Sequence, residues 1–179
     1  QRDITQAVTL DQVMDRVQEA YCIVQRGDFQ MPDRLTVEYQ ENTFCYMPCL
    51  YKDAAAIKIL SLNPQNPSQG LPYIRGLMLL SDANNGDLLA MLDGGFLTAL
   101  RTGAVGGVGI RHFSRPDCHR VGIVGAGTQG FYQALYACHA REIRQITLLD
   151  CREVPQTYLQ QLQETLAAYG KTPEITVAQ

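Results

Sequence analysis

Hydrophobic residues recur at helical spacing near the start of the chain. From Leu10 to Val24 they fall at intervals of three and four, which predicts one amphipathic helix. Thr9 and Gln12 have the spacing of a capping box at its start, and Gly27 is a natural stop. We therefore expect a helix of about five turns before the first strand.

Strand patterns follow this helix. The segment RLTVEY alternates apolar and polar residues, and NTFCYMP and AAAIKILSL continue the strand pattern. Two further runs, YIRGLMLLSD and GDLLAMLD, flank Asn84-Asn85-Gly86, whose Asn-Gly step indicates a hairpin. Lys58 stands in the middle of its strand, where an ammonium group is costly unless it meets water or an anion. An edge strand with Lys58 facing solvent is the alternative.

A second helix is predicted from Phe96, in the segment LDGGFLTALRTGAVGGVGIRHFS. Each glycine in a helix interior costs about 1 kcal/mol relative to alanine, so a helix with several glycines indicates a close neighbour, either another backbone or a bound ligand. Arg101 lies just before the glycines. Its guanidinium either holds an anion near this close approach or is solvated or structurally paired. The glycines are Gly103, Gly106, Gly107 and Gly109.

The segment RVGIVGAGTQG, residues 120 to 130, has the pattern of a strand that leads into a dinucleotide-binding loop. Gly125 permits the tight turn, Gly127 lets a pyrophosphate approach the backbone, and Gly130 lets helix and strand pack closely. A helix, a strand and Asp150 follow, with Asp150 twenty residues after Gly130, where a carboxylate accepts the ribose hydroxyls of NAD. A glycine-rich turn that binds nothing is the alternative. Asp150 favours NAD over NADP, and Arg152 would soften that preference.

One further helix, Pro155 to Tyr169, and a strand that begins at EITVAQ complete a strand-helix-strand-helix-strand unit. This unit is one mononucleotide half of a Rossmann domain, and the nicotinamide half is missing. We therefore expect a fragment of a longer protein, and the first residue, Gln1, agrees. The proline-containing segment SRPD predicts a boundary between an α+β domain at residues 1–115 and the incomplete Rossmann domain at residues 116–179.

Composition excludes several classes of protein. Hydrophobic residues make up 46% of the chain and charged residues 18%, which is typical of a folded globular protein. A net charge of −3 without a long basic run argues against nucleic acid as a partner. The longest apolar runs are far shorter than the ~20 residues of a membrane span.

The six cysteines do not have the spacing of a disulfide framework, and free thiols favour a cytoplasmic location. Cys45 and Cys49 could bind a metal, but no second pair of ligands stands nearby in the sequence. Two buried thiols on one strand face are the plainer interpretation. We therefore expect no metal site.

With LDGGFLTALRTGAVGG joined to VGIVGAGTQG, the chain resembles the ornithine cyclodeaminase and mu-crystallin family from about Met31 to Asp150. That family includes archaeal-type alanine dehydrogenases and imino-acid or opine-type reductases. The resemblance implies an α/β fold, with an α+β substrate and dimerisation domain followed by the first half of a Rossmann domain. It also implies a homodimer and a small amino-acid or imino-acid substrate.

The resemblance assigns roles to individual residues. Arg34 in MPDR and Arg101 in TALRT would hold the substrate carboxylate, and Lys58 in DAAAIKIL would contact the substrate. Tyr73 stands near substrate and cofactor, where ornithine cyclodeaminase carries a smaller hydroxyl residue. This difference and the glycine-rich helix put ornithine in doubt as the substrate. The catalytic aspartate of the family falls beyond Gln179. Residues implied to contact the cofactor are Tyr73, Arg101, Thr102, Gly125, Gly127, Thr128, Gln129 and Asp150.

Two classes of function stay open. In the first, the protein is an NAD-dependent enzyme that transfers hydride at Cα, either as a cyclodeaminase of the ornithine-to-proline type or as an amino-acid dehydrogenase or imino-acid reductase. In the second, it is a non-catalytic protein that binds a nicotinamide cofactor and a small ligand, as mu-crystallin does. The three cations Arg34, Lys58 and Arg101 favour the enzyme, because an amino-acid carboxylate needs them.

Overall fold

The computed structural model describes residues 2–178, which form two compact units. Unit 1 comprises Ala20–Thr98, and unit 2 comprises Arg2–Glu19 together with residues 99–178. The division falls inside two helices, α2 (Leu10–Arg26) and α3 (Gly94–Phe113). The domain boundary at residues 115/116 stays a prediction.

Unit 1 is built on a five-stranded antiparallel sheet with the order β1-β2-β3-β4-β5. Consecutive strands are neighbours, and a hairpin with Gly86 at φ 81° joins the last two, as the Asn-Gly step predicted. A short 3-10 helix, Asn66–Gln69, lies in the loop before β4. The strands are β1 (Leu35–Tyr39), β2 (Asn42–Tyr51), β3 (Ala54–Leu62), β4 (Ile74–Asp82) and β5 (Leu88–Asp93).

The hydrophobic pattern of β1 does not lead to burial. Leu35 and Tyr39 are 61% and 63% exposed, and β1 is an edge strand. Among the hydrophobic side chains that the structure describes in unit 1, only Cys45 and Phe96 reach full or nearly full burial. The alternation therefore identified the strand correctly, whereas burial depends on what covers the sheet.

Unit 2 contains a three-stranded parallel sheet with the order β6-β7-β8 and a helix after each of the first two strands. This is the strand-helix-strand-helix-strand unit predicted from the glycine motif. Ile146 and Leu148 of β7 are fully buried, as are Tyr136 and Leu162 on the two helices. The elements are β6 (Arg120–Val124), α4 (Thr128–Ala140), β7 (Gln145–Leu149), α5 (Gln156–Ala168) and β8 (Glu174–Val177).

The N-terminal part of the chain also belongs to unit 2. Helix α1 (Arg2–Ala7), which the sequence did not predict, precedes α2. The capping box is present, since Thr9 N–H donates to Gln12 Oε1 at 2.8 Å and Gln12 N–H donates to Thr9 Oγ1 at 3.2 Å. Met14 of α2 is fully buried in unit 2, whereas Val24 on the same predicted face is 58% exposed.

Gly103 and Gly107 of α3 lie close to side chains of neighbouring helices. A Cβ at Gly103 would come within 2.7 Å of the Cβ of Tyr132, and one at Gly107 would lie 3.0 Å from the Cβ of Tyr136 and 3.1 Å from the Cε of Met14. The close neighbour expected from the glycines is therefore present, and at these two positions it consists of packed side chains of α2 and α4. Helix α3 begins at Gly94 rather than at Phe96, because Asp93 Oδ1 accepts the Phe96 N–H at 2.9 Å and caps the first turn.

Candidate functional site

The glycine loop between β6 and α4 has the backbone geometry of a dinucleotide-binding turn. Gly125 has a φ of 98°, which non-glycine residues rarely adopt, and its N–H donates to the Leu149 carbonyl at 2.7 Å. Gly127 is the N-cap of α4, and no side chain caps it. Thr128 and Gln129, both exposed, form the first turn. The free N–H groups of this turn are the kind of donors that bind phosphate at a helix N-terminus.

Gly130 lets α4 approach the loop closely. A Cβ at this position would collide with the carbonyl oxygen of Gly125 and would lie 3.2 Å from Cγ2 of Ile123. Backbone cannot move aside as a flexible side chain can. The third glycine of the motif is therefore required by packing, as predicted from its position.

Asp150 lies at the end of β7, and its side chain is 11% exposed. Its Oδ1 accepts the Arg152 N–H at 2.9 Å, and its Oδ2 accepts the Ala126 N–H at 2.7 Å. These two hydrogen bonds, that of Arg152 first, hold the pKa of the carboxyl below its ordinary value. Asp150 is therefore ionised at neutral pH and fixed next to the glycine loop.

The guanidinium of Arg152 does not form a close ion pair with this acid. Its Nε lies 3.8 Å from Asp150 Oδ1, and the side chain is 85% exposed. An exposed pair at this distance contributes little and is screened by salt. The negative charge of Asp150 thus faces the loop largely uncompensated, which favours a free ribose hydroxyl over a 2′-phosphate.

Arg101 and Thr102 lie in the first half of α3 and belong to unit 2, as the glycine loop does. Arg101 is exposed, and it has no ion pair or side-chain hydrogen bond with any residue between positions 2 and 178. Arg101 is therefore not structurally paired within residues 2–178, its exposure agrees with the solvated alternative, and its role as an anion ligand stays a prediction. The Thr102 hydroxyl is buried without a hydrogen-bond partner there, which is unusual for a buried polar group.

Lys58 belongs to unit 1 and lies in the central strand of its sheet, so the edge-strand alternative is wrong. The register pairs Lys58 with Met47 of β2 on one side and with Met78 of β4 on the other. Its side chain is half-buried between these two methionines. A charged group that the fold places on a row of apolar neighbours needs a polar partner or water.

Arg34 and Tyr73 lie at strand ends of the same unit. Arg34 is exposed and immediately precedes β1, whose first residue Leu35 pairs with Tyr46. Tyr73 immediately precedes β4; it is 44% exposed, and its carbonyl accepts the Asn63 N–H at 2.9 Å. The candidate substrate residues Arg34 and Lys58 and the candidate cofactor residue Tyr73 thus belong to unit 1, and the remaining candidate residues belong to unit 2.

Residues 2–178 show neither a metal-binding cluster nor a membrane-spanning helix. They contain no group of three or more His, Cys, Asp or Glu side chains placed to hold a metal ion. The six cysteines are free; Cys45 is buried and Cys49 is half-buried on β2. None of the described helices has the length and apolar character needed to cross a bilayer.

Two contributors to the site were not predicted. The Ala126 N–H fixes Asp150, and backbone groups leave no specific signal in a sequence. Gln133 of α4 donates from Nε2 to the Thr102 carbonyl at 3.0 Å. A lone glutamine in an amphipathic helix is indistinguishable from a surface residue until the neighbouring helix is known.

Comparison with known proteins agrees with this architecture. The model of the ornithine cyclodeaminase/mu-crystallin family matches residues 1–172. An alanine dehydrogenase of Archaeoglobus fulgidus is 31% identical over 153 residues, which are 86% of this chain and 48% of that protein. The chain therefore spans about half the length of this curated relative.

Two solved structures share the fold. An archaeal alanine dehydrogenase dimer with bound NAD superposes with a TM-score of 0.85 and 27% identity over 100% of this chain and 54% of its own. The Δ1-pyrroline-2-carboxylate reductase of Thermococcus litoralis, in complex with NADH and L-proline, superposes with a TM-score of 0.83 and 30% identity. The match covers 96% of this chain and 53% of the reductase. From its sequence motifs, its two units and these matches, the chain belongs to the ornithine cyclodeaminase/mu-crystallin family.

Proposed function

We propose that this chain carries substrate-binding residues and half of the NAD site of an enzyme that transfers hydride at Cα of a small α-amino or α-imino acid. The observation that carries the proposal is the arrangement of unit 2. An uncapped helix N-terminus, a fixed carboxylate and the buried, unpartnered Thr102 hydroxyl all belong to one compact unit. Bound NAD would accept or supply the hydride.

The residues that would hold NAD fit its chemistry. N–H groups at Thr128 and Gln129 would bind the pyrophosphate, and Asp150 would accept hydrogen bonds from the adenosine ribose. Thr102 would supply its hydroxyl to the phosphates. Gly125 and Gly127 leave room for the cofactor next to the backbone, and Tyr73 is a further proposed cofactor contact.

Three cations would recognise the substrate. Arg34 and Arg101 would pair with the carboxylate, because a guanidinium binds a carboxylate with two parallel hydrogen bonds. Lys58 would contact the substrate from the central strand. Held in this way, the Cα of an amino acid loses hydride and its amino group loses a proton to give an imine; reduction of an imino acid is the reverse.

The relatives reported above favour a net dehydrogenase or reductase, since they are an alanine dehydrogenase and a pyrroline-2-carboxylate reductase. A cyclodeaminase is the second form of the proposal, in which the side-chain amine of the substrate attacks the imine, ammonia leaves, and the same hydride returns to the cyclic imine. We further propose a homodimer, as in the solved alanine dehydrogenase, and a cytoplasmic location, consistent with six free cysteines.

The test uses the full-length gene product, incubated with NAD⁺ and small amino acids or with NADH and small cyclic imino acids. A steady change in absorbance at the NADH band identifies a dehydrogenase or reductase. Release of ammonia without a net change in NADH identifies a cyclodeaminase. Tight NADH binding without turnover of any of these compounds would refute the enzyme and support the cofactor-binding protein.

A further inference from the structure

A side chain of α4 forms a hydrogen bond with the backbone of α3, and the Arg141 guanidinium forms a second one from the C-cap of α4 to the Arg111 carbonyl. Gln133, in the second turn of α4, donates from Nε2 to the backbone carbonyl of Thr102 at 3.0 Å, and the contact is partly buried. In an α-helix this carbonyl also accepts the N–H of the residue four positions later, Gly106. The carbonyl therefore receives a second donor, from the helix that begins at the glycine loop.

Gly106 provides the space for this contact. A Cβ at position 106 would collide with the amide oxygen of Gln133 and would lie 2.9 Å from its Cδ and 3.3 Å from its Nε2. At Gly109, in the same helix, a Cβ would meet nothing within 4 Å. The absence of a side chain at position 106 thus makes room for the Gln133 amide, whereas at position 109 it makes room for no neighbouring group.

The contact joins the two parts of unit 2 that the proposed function uses. On α3, Thr102 follows Arg101, the proposed carboxylate ligand. On α4, Gln133 lies five residues after Thr128, the first residue of the phosphate-binding turn. A hydrogen bond between the helices fixes their relative position along their axes, and hence the position of Arg101 relative to the loop.

We propose that Gln133 is a positioning residue that sets the Arg101–Thr102 segment against the cofactor loop, and that Gly106 is required because it leaves room for the Gln133 amide. This inference rests on the proposed function. Gln133 contacts neither substrate nor cofactor; it acts through the Thr102 backbone. Misplacing a substrate ligand by a fraction of an ångström to 1 Å lowers the rate even when the ligand itself is intact.

The first test compares Gly106→Ala with Gly109→Ala in the full-length protein. Both substitutions add the same methyl group to the same helix, but only the first displaces the Gln133 amide. Because the displaced group is the end of a flexible side chain, the Gly106→Ala protein should fold. We expect its kcat/KM for the amino acid to fall by about 10- to 100-fold and its NADH affinity to weaken, because Thr102 is also a proposed phosphate ligand, while Gly109→Ala keeps wild-type kinetics and NADH affinity.

The second test uses Gln133→Glu, which preserves size. As a carboxylate the new side chain cannot donate to the Thr102 carbonyl and repels it, whereas its protonated form would donate again. We expect the ratio of variant to wild-type kcat/KM to rise as the pH falls toward the ordinary glutamic acid pKa of about 4.3. A purely structural role would lower thermal stability and leave this ratio independent of pH.

The outcomes separate the two proposals. If the wild-type protein turns over substrate but Gly106→Ala matches Gly109→Ala, or Gln133→Glu shows no pH-dependent recovery, the positioning role is overturned and the proposed function stands. If the wild-type protein neither binds NADH nor turns over any substrate, the proposed function fails, and the positioning role fails with it.

Discussion

The carboxylate of Asp150 accepts the backbone N–H of Ala126 at 2.7 Å, so the acid at the end of β7 holds the glycine loop in place. The same side chain is the proposed ligand of the adenosine ribose. The hydrogen bond from Ala126 in the glycine loop thus fixes the position of the Asp150 carboxylate. This relationship makes Asp150 the first residue to vary.

Replacing Asp150 with Asn should weaken NADH binding by about tenfold, because hydrogen bonds to a charged acceptor are about twice as strong as neutral ones. NADPH affinity should fall less or rise, since the charge that repels a 2′-phosphate is removed. Both affinities can be measured by fluorescence titration. Asp117→Asn is the matched control, because Asp117 is 75% exposed and lies outside the loop. Unchanged NADH affinity in Asp150→Asn would exclude the ribose role.

The contribution of Asp150 to stability should depend on pH. Its pKa in the folded protein lies below the unfolded value of about 3.9. The ionised form is therefore favoured by folding, and the stabilisation is present above this value and is lost as the pH falls through the folded pKa. Thermal unfolding of the wild type and of Asp150→Asn should differ most near neutral pH and converge below about pH 4. A constant difference across this range would contradict the assigned cause.

Replacing Gly130 with Ala should disrupt the loop, since the new Cβ would collide with the Gly125 carbonyl. We expect a loss of about 1–3 kcal/mol of stability, as for other overpacked positions, together with weaker NADH binding. Gly122→Ala is the control, because a Cβ there meets nothing within 4 Å. Thermal melts and an NADH titration compare the two variants. Equal melting temperatures and equal NADH affinities would refute the packing requirement at Gly130.

Replacing Lys58 with Met should separate function from stability. The two neighbours across the strands, Met47 and Met78, suit an apolar side chain, so the variant should fold, and its melting temperature measures what Lys58 contributes to stability. Turnover should fall by at least about 100-fold if Lys58 contacts the substrate. Lys52→Met, in the exposed β2–β3 turn, should leave turnover unchanged. A Lys58→Met enzyme with wild-type turnover would remove this residue from the site.

Replacing Met14 with Ala tests whether the N-terminal helix is part of the dinucleotide-binding unit. Met14 is fully buried, and its Sδ lies 3.2 Å from the position of a Cβ at Gly107. We expect a loss of about 2–5 kcal/mol in the free energy of unfolding. Val24→Ala, at an exposed position of the same helix, should stay within about 0.5 kcal/mol of the wild type. Denaturant unfolding of both variants gives the comparison, and similar values would show that Met14 adds no core packing.

Much of the candidate site is local in sequence and was therefore predictable. Gly125 has a positive φ, and Gly130 has no room for a Cβ, so both positions of this short loop depend on the absence of a side chain. Gly127 lies between them as the N-cap of α4, and Asp150 directly follows the next strand of the same parallel sheet. The capping box at Thr9 and Gln12 is local in the same sense. Lys58 and Arg101 stood out in the sequence pattern and Arg34 was identified through the family resemblance, which also implied the roles of all three; these roles remain predictions.

The sequence by itself determined the elements whose hydrogen bonds and turns depend on neighbours a few residues apart. Only the tertiary structure decided what lies against each face, because burial and side-chain partners come from residues distant in the chain. It placed Lys58 on the central strand and left Leu35 and Tyr39 exposed although their pattern is that of a half-buried strand. It also explains why positions 103 and 106 are glycines, since Tyr132 and Gln133 pack against them from a helix about 30 residues further along the chain.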